Sequence, residues 1–219
     1  MSVSHAMILA AGRGERMRPL TDTVPKPLLE VRGKPLIFYH LEKLSRLGLS
    51  DVVINLAWLG DLIRDRIKDG AQWSLRVRYS DEGGEALETG GGIFKALPWL
   101  GCDPFLVLNA DVYTDFDYST LRIESQAWAH LVMVPNPRQG PRGDFSLRDG
   151  LIQDEPNAQR WTYSGIGLYR PQLFDGCTSG KFPLLPLLRR AIAAQHLYGE
   201  LYSGIWNDVG TLDRLAALQ

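Results

Sequence analysis

The sequence predicts an α/β fold: a Rossmann-like, mixed but mainly parallel sheet flanked by helices. Two observations carry this. Short apolar runs suited to buried strands alternate with amphipathic stretches of helical period through the first half of the 219 residues. The first of those runs, residues 6–11, leads directly into a cationic loop containing Gly12 and Gly14. In an open parallel sheet, ligand loops sit at such carboxyl ends of strands.

Taken in order, strands are expected at residues 5–10, 51–55, 75–80 and 105–109, with helices at 35–47, 59–68 and 90–97 between them. The first helix has Pro35 at its start and Gly48 just past its end, the asymmetry expected of helix termini. After Asp111 the rhythm changes. Residues 130–134 read as a strand, and 144–147 with 151–153 as a hairpin across the Asp149-Gly150 turn. A strand at 163–169, a helix at 184–194, a strand at 205–209 and a short helix from Thr211 complete the chain. No linker rich in Pro, Gly or Ser divides it, so residues 1–219 are read as one domain with a more irregular second half.

Bulk composition narrows the function. A net charge of −1 supplies no global field toward nucleic acid or anionic lipid, and no run of 18 apolar residues suggests a membrane span. Cys102 and Cys177 form neither a metal spacing nor a disulfide framework, and no secretory leader is visible, so a cytoplasmic protein is expected, with both cysteines ordinary buried or half-buried residues. The four histidines are scattered and no Gly-x-Ser-x-Gly elbow is present, which argues against zinc or serine-hydrolase chemistry.

Positive charge is instead local. Gly12 and Gly14 let backbone N–H groups approach phosphate oxygens, while Arg13, Arg16 and Arg18 offer forked donors. The loop is neither a Walker A nor a dinucleotide fingerprint, because the Lys-Ser/Thr ending is missing and Met17 stands where a third glycine belongs. Arg13 and Arg18 could equally be solvated loop charges. Lys26 is clamped between Pro25 and Pro27, a restriction wasted on a mobile surface lysine. Asp111 and Asp208 end apolar runs, where a carboxylate can hold Mg²⁺, although either could instead cap the structure that follows. Gly90, Gly91 and Gly92 precede a helical pattern and serve either close packing or a flat backbone shelf for a base.

Five blocks in order give a resemblance. Leu9-Ala-Ala-Gly-x-Gly-x-Arg-Met-x-Pro-Leu-Thr21, Pro25-Lys-Pro-Leu28, Gly33-Lys-Pro-Leu36, Asn109-Ala-Asp111 and Trp206-x-Asp-Val-Gly-Thr211 are similar to the sugar-phosphate nucleotidyltransferases over nearly the whole chain. The resemblance implies the nucleotidyltransferase fold, with residues 1–111 as a nucleotide-binding half and 112–219 as a sugar-binding half that includes a smaller β subregion. It places Leu9, Ala10, Ala11 and Gly12 against base and ribose and the loop from Gly12 through Arg13 and Gly14 to Arg16 on the triphosphate. It also puts Glu82, Thr89, Gly90 and Gly91 near the nucleoside. Arg16 would stabilise departing pyrophosphate, Lys26 would bridge the phosphates and the incoming sugar phosphate, and Asp111 and Asp208 would share Mg²⁺. Asn109, Gly143, Asp144, Ser164 and Gly165 would line the sugar side.

Further blocks, Asn55-x-Ala-Trp-Leu-Gly60, Glu88-Thr-Gly-Gly-Gly-Ile-Phe94, Arg142-Gly-Asp-Phe145 and Thr162-x-Ser-Gly-Ile166, most resemble the uridylyltransferases that use N-acetylmuramic acid 1-phosphate in bacterial cell-wall recycling. The implied partners are UTP and a sugar 1-phosphate, with no nucleic acid or membrane, and the chain a monomer or weak homo-oligomer. Two departures stand out: Glu82–Ala86 is one residue longer than the pattern, and the usual Glu-Lys-Pro appears as Asp154-Glu155-Pro156, where no sugar contact is expected. No β-helical second activity is expected. Rival readings are mannose 1-phosphate with GTP, glucose 1-phosphate with dTTP or UTP, and a catalytically silent nucleotide-sugar sensor.

Overall fold

A computed structural model describes residues 3–137 and 142–219. The first half contains strands β1 (His5–Leu9), the short pair β2 (Glu30–Val31) and β3 (Lys34–Pro35), helix α1 (Leu36–Arg46), β4 (Asp51–Leu56), α2 (Gly60–Ile67), β5 (Arg76–Asp81), α3 (Glu88–Leu100) and β6 (Phe105–Asn109). The second half contains β7 (Val112–Thr114), β8 (Ala129–Val134), β9 (Phe145–Arg148), β10 (Leu151–Gln153), β11 (Arg160–Tyr169), α4 (Leu185–Ala193), β12 (Leu197–Leu201), β13 (Trp206–Asp208) and α5 (Leu212–Ala216).

Nine strands form one sheet in the order β5-β4-β1-β6-β11-β8-β12-β10-β9. The first four are parallel. β11 runs antiparallel between β6 and β8, and the hairpin β9–β10 closes the far edge. The parallel half is therefore the βαβ portion read from the sequence, and the irregular second half is mixed, with β12 parallel to β8 and the pairings of β11, β10 and β9 antiparallel. In the hairpin, Asp149 and Gly150 both take positive φ (51° and 79°), as a two-residue turn matched to strand twist requires.

Strand alternation explains why both sheet faces are covered. Ala6 and Ile8 of β1, Val52 and Ile54 of β4, and Leu106 and Leu108 of β6 face one apolar cluster with Ile37 and Leu41 of α1 and Ile63 of α2. Their neighbours Met7, Val53, Phe105 and Val107 face the other, with Ile93 and Leu100 of α3 and Leu188 of α4. A third cluster joins Met17, Leu29, Val31 and Leu36 to Val209 and Leu218, fastening the glycine loop to the C-terminal segment. Met17 is fully buried there, and by transfer free energy that is worth about 1.5–3 kcal/mol.

Helix α3 begins at Glu88, so Gly90, Gly91 and Gly92 lie within the helix rather than ahead of it. Packing outweighs their poor helix propensity. A Cβ at Gly90 would lie 2.6 Å from the Phe182 ring and one at Gly91 2.2 Å from the Gly180 carbonyl oxygen. The strands β7 and β12 carry too little apolar alternation to announce themselves. Cys177 is half-buried, but Cys102 is exposed, because it falls in the bend between α3 and β6 rather than within either element. No helix among the described residues is long and apolar enough to cross a membrane.

Candidate active site

The parallel register sets Leu9 beside both Asn55 and Asn109, so β1, β4 and β6 end at one level. The chain passes from β1 to β4 on one side and returns to β6 on the other, which makes the carboxyl end of β1 the switch point where a crevice opens. A cavity of about 220 Å³ lies there, lined by Leu9, Ala10, Ala11, Gly12, Lys26 and Asp111 among others.

The glycine loop is braced from behind. Gly14 is left-handed (φ 69°), and its carbonyl accepts from the Met17 N–H at 2.9 Å and from the Thr21 hydroxyl at 2.9 Å. Among the described residues no protein acceptor meets the N–H groups of Gly12, Arg13 or Gly14, which leaves them for an anion. Arg13 lies 4.3 Å over the Trp58 ring, whose Nε1 donates to the Thr21 carbonyl at 2.9 Å. Arg18 pairs with Asp22 at 2.9 Å on the surface, the solvated role that its sequence also allowed. Arg16 is exposed, and a Cβ at Gly210 would meet its Nη2 at 2.9 Å, which puts the guanidinium beside the segment carrying Asp208.

Both prolines flanking Lys26 are buried, and the lysine opens a single 3₁₀ turn, Lys26–Leu28. Its Nζ donates to Asp111 Oδ2 and stands 3.8 Å from Asp208 Oδ1. Two pairings bring the aspartates together. The Ala110 N–H donates to the Leu9 carbonyl at 3.0 Å, holding the turn after β6 against β1. β13 then pairs antiparallel with β7, Asp208 opposite Val112, and the Val209 N–H donates to the Asp111 carbonyl at 2.9 Å. Arg214 holds Asp208 Oδ2 at 3.0 Å, while Asp208 Oδ1 is buried without a hydrogen-bond partner. Thr211, not Asp208, caps α5, accepting from the Arg214 N–H. Among the described residues no group of three or more His, Cys, Asp or Glu that could hold a metal gathers anywhere, so this site offers two carboxylates and no third such ligand. Two converging carboxylates, one with an orphaned oxygen, fit a hard divalent cation that completes its shell with phosphate oxygens and water.

Glu82 is buried at the cavity wall, its Oε1 accepting from Asn55 Nδ2 at 2.7 Å and its Oε2 from the Leu87 N–H at 2.7 Å. Asn55 Oδ1 in turn accepts from the Ala10 N–H at 2.8 Å. The sequence blocks give Asn55 no role, although it lies one residue before the end of an apolar strand, level with Asn109 across Leu9. Thr89 lines the cavity with Glu88, but Gly90 and Gly91 lie behind it, and the Gly91 N–H is taken by the Phe182 carbonyl at 3.0 Å.

A second cavity, of about 650 Å³, shares Glu88, Thr89 and Asn109 with the first and adds Gly143, Asp144, Tyr163, Arg160 and Arg189. Asp144 Oδ2 accepts from the Tyr163 N–H at 2.7 Å, which fixes the carboxylate in the wall. Ser164 and Gly165 lie at the irregularity between Tyr163 and Gly167 in β11, outside this lining. The Ser164 hydroxyl is buried and accepts from the Ile166 N–H at 3.2 Å. Gly165 (φ 77°) makes room for Asn109, whose Nδ2 a Cβ there would meet at 2.5 Å. Gly165 thus backs Asn109, which lines both cavities. No sequence pattern singles out Arg160, Arg189 or Arg214, since only the arrangement of β11, α4 and α5 brings these arginines to the site.

The chain belongs to the nucleotidyl transferase family, whose sequence pattern matches residues 5–142. It is 49% identical to the N-acetylmuramate alpha-1-phosphate uridylyltransferase of Neisseria meningitidis, over 98% of this chain and 96% of that protein. It is 34% identical to the protein of the same name from Caulobacter vibrioides, over 94% and 91%. The fold is that of HddC from Yersinia pseudotuberculosis in complex with GMP-PN, with a TM-score of 0.80 at 22% identity, covering 98% and 97% of the two chains.

Proposed function

We propose that this protein transfers UMP from UTP to N-acetylmuramic acid 1-phosphate, yielding UDP-N-acetylmuramic acid and pyrophosphate, in cytoplasmic cell-wall recycling. The reading is supported by 49% identity to the meningococcal enzyme along nearly all of both chains. The observation that carries the chemistry is Lys26, held by buried prolines between Asp111 and Asp208 beside a loop with unspent N–H groups.

The reaction is in-line attack of a sugar-phosphate oxygen on the α-phosphorus of UTP. A phosphate monoester has its second pKa at about 6, so the nucleophile is already deprotonated near neutrality and needs no general base. The difficulty is bringing two polyanions together: at ~4 Å and an effective dielectric of about 20, each pair of unit charges repels by ~4 kcal/mol. Lys26 counters that repulsion where the two phosphates meet, and its restricted backbone limits the reorganisation needed during reaction. The Gly12–Gly14 N–H groups hold the triphosphate, and Arg16 stabilises the charge that grows on departing pyrophosphate. Asp111 and Asp208 would hold Mg²⁺, which when bound supplies positive charge to the α-phosphate and orients its oxygens.

Pyrophosphate release from UTP and Mg²⁺ with a panel of sugar 1-phosphates tests the proposal. Fastest release with N-acetylmuramic acid 1-phosphate is expected. Release only with mannose or glucose 1-phosphate would reassign the acceptor, and release with none, for any nucleotide, would make the protein a sensor.

A further inference from the structure

N-acetylmuramic acid differs from glucose, mannose and N-acetylglucosamine in carrying a lactyl ether that ends in a carboxylate. An arginine in the sugar cavity, placed away from the phosphate-binding end, would select it most strongly, through a charge-assisted bidentate pair. Two arginines line the second cavity, Arg160 and Arg189. Arg160 is fully engaged. Its Nε donates to the Gly143 carbonyl at 3.1 Å, its Nη1 to the Glu155 carbonyl at 3.2 Å, and its Nη2 to the Asp144 carbonyl and to Asp154 Oδ1. With its side chain only 17% exposed, it fastens the hairpin to β11.

Arg189 is different. On α4 it stands four residues, about one turn, after Leu185 and next to Leu188, and all three line the cavity. Its Nε donates to Asp154 Oδ2 at 2.9 Å, and among the described residues Nη1 and Nη2 meet no acceptor. Its side chain is 59% exposed. The carboxyl of Asp154 is held below its usual range, chiefly by the hydrogen bond from Arg160 and further by that from Arg189, so it stays ionised and anchors the guanidinium. The other carboxylates at this cavity, Glu88 and Asp144, are of the wrong sign for an anion, and Asp144 is turned onto the Tyr163 N–H.

We propose, on the substrate reading given above, that Arg189 is the specificity-determining residue for the lactyl carboxylate. Asp154 holds it by Nε, and Nη1 and Nη2 receive the two carboxylate oxygens. Planar bidentate pairing of this kind is what arginine provides and lysine does not. Leu185 and Leu188 give the lactyl methyl an apolar wall.

The test compares N-acetylmuramic acid 1-phosphate with N-acetylglucosamine 1-phosphate, which lacks only that ether, in the wild type, Arg189→Ala and Arg189→Lys. Losing a charge-assisted pair is expected to raise KM for the lactyl sugar about tenfold to a hundredfold in Arg189→Ala, with kcat changing far less and the preference between the two sugars collapsing. Arg189→Lys should recover part of the preference. UTP affinity measured by calorimetry reports whether each variant is folded. An Arg189→Ala enzyme that keeps the wild-type preference overturns the proposal and leaves the substrate reading standing. An equal loss with both sugars, together with weakened UTP binding, overturns it by assigning Arg189 a structural role. A wild type inactive on the lactyl sugar phosphate overturns the substrate reading and the proposal with it.

Discussion

Lys26 owes its position to its neighbours. Pro25 and Pro27 are buried and fix the backbone on either side, so the ammonium reaches two carboxylates that arrive from distant parts of the chain. Lys26→Ala removes the positive charge to which the proposed mechanism brings both substrates. It also leaves Asp111 and Asp208 facing one another without the ammonium between them. Loss of one preorganised electrostatic partner typically costs about 10²–10³ in rate, and a fall of that size in kcat/KM for the sugar phosphate is expected, with thermal unfolding little changed. Steady-state kinetics with varied sugar phosphate check it, and unchanged kinetics would remove Lys26 from the mechanism. This residue was legible in the sequence because proline restriction is a local property. Asp208 was legible as a strand-end carboxylate, but its approach to Asp111 was not, since it depends on the nonlocal pairing of β13 with β7.

At the scale of elements, α3 decides how tightly the cavity at the end of β1 is walled. Its glycines cost roughly 1 kcal/mol each in a helix interior relative to alanine, and they remain because larger residues do not fit. A Cβ at Gly92 would stand 2.5 Å from Glu82 Oε1 and 3.0 Å from Asn55 Nδ2, the pair that secures the end of β4 and the Ala10 N–H. Gly92→Ala is therefore expected to destabilise the fold by about 1–3 kcal/mol through overpacking and to weaken UTP binding as well. Urea unfolding and calorimetry measure both, and wild-type values for the two would show that the wall yields freely. The first-half strands and helices were readable because continuous apolar runs, buried on both faces, give way to amphipathic stretches of helical period between them. The start of α3 was obscured by the same glycines, where tertiary packing overrides propensity. β12 was obscured by Gly199 and Glu200, which interrupt its apolar pattern although Leu197 and Gly199 are buried.

Across the whole molecule, acid sensitivity follows from a histidine beneath the site. His40 on α1 is buried, its Nδ1 2.7 Å from the Tyr118 hydroxyl. Burial, and secondarily the charge of Lys43, push its pKa down to about 4, against the opposing influence of Asp111. The folded state thus refuses a proton that the unfolded chain accepts near pH 6.5. Stability is full above that value, declines as pH falls toward 4 and loses nothing further from this group below it. The linked loss is on the order of 3 kcal/mol. Urea unfolding between pH 7 and 4 should show the decline in the wild type, and His40→Asn should flatten it over this window. An unaltered slope in the variant would assign the acid sensitivity to other groups.

On the proposed mechanism, Asp111 and Asp208, with Lys26 between them, form the nucleotidyl-transfer centre of this fold. Its most direct test is the initial rate of UDP-sugar and pyrophosphate formation from UTP, Mg²⁺ and N-acetylmuramic acid 1-phosphate by the wild type and by Asp111→Asn, an isosteric change at a partly exposed position. The prediction is equimolar products from the wild type and a rate lower by about a hundredfold or more in the variant, with the unfolding transition retained. An Asp111→Asn protein that turns over at the wild-type rate would contradict it.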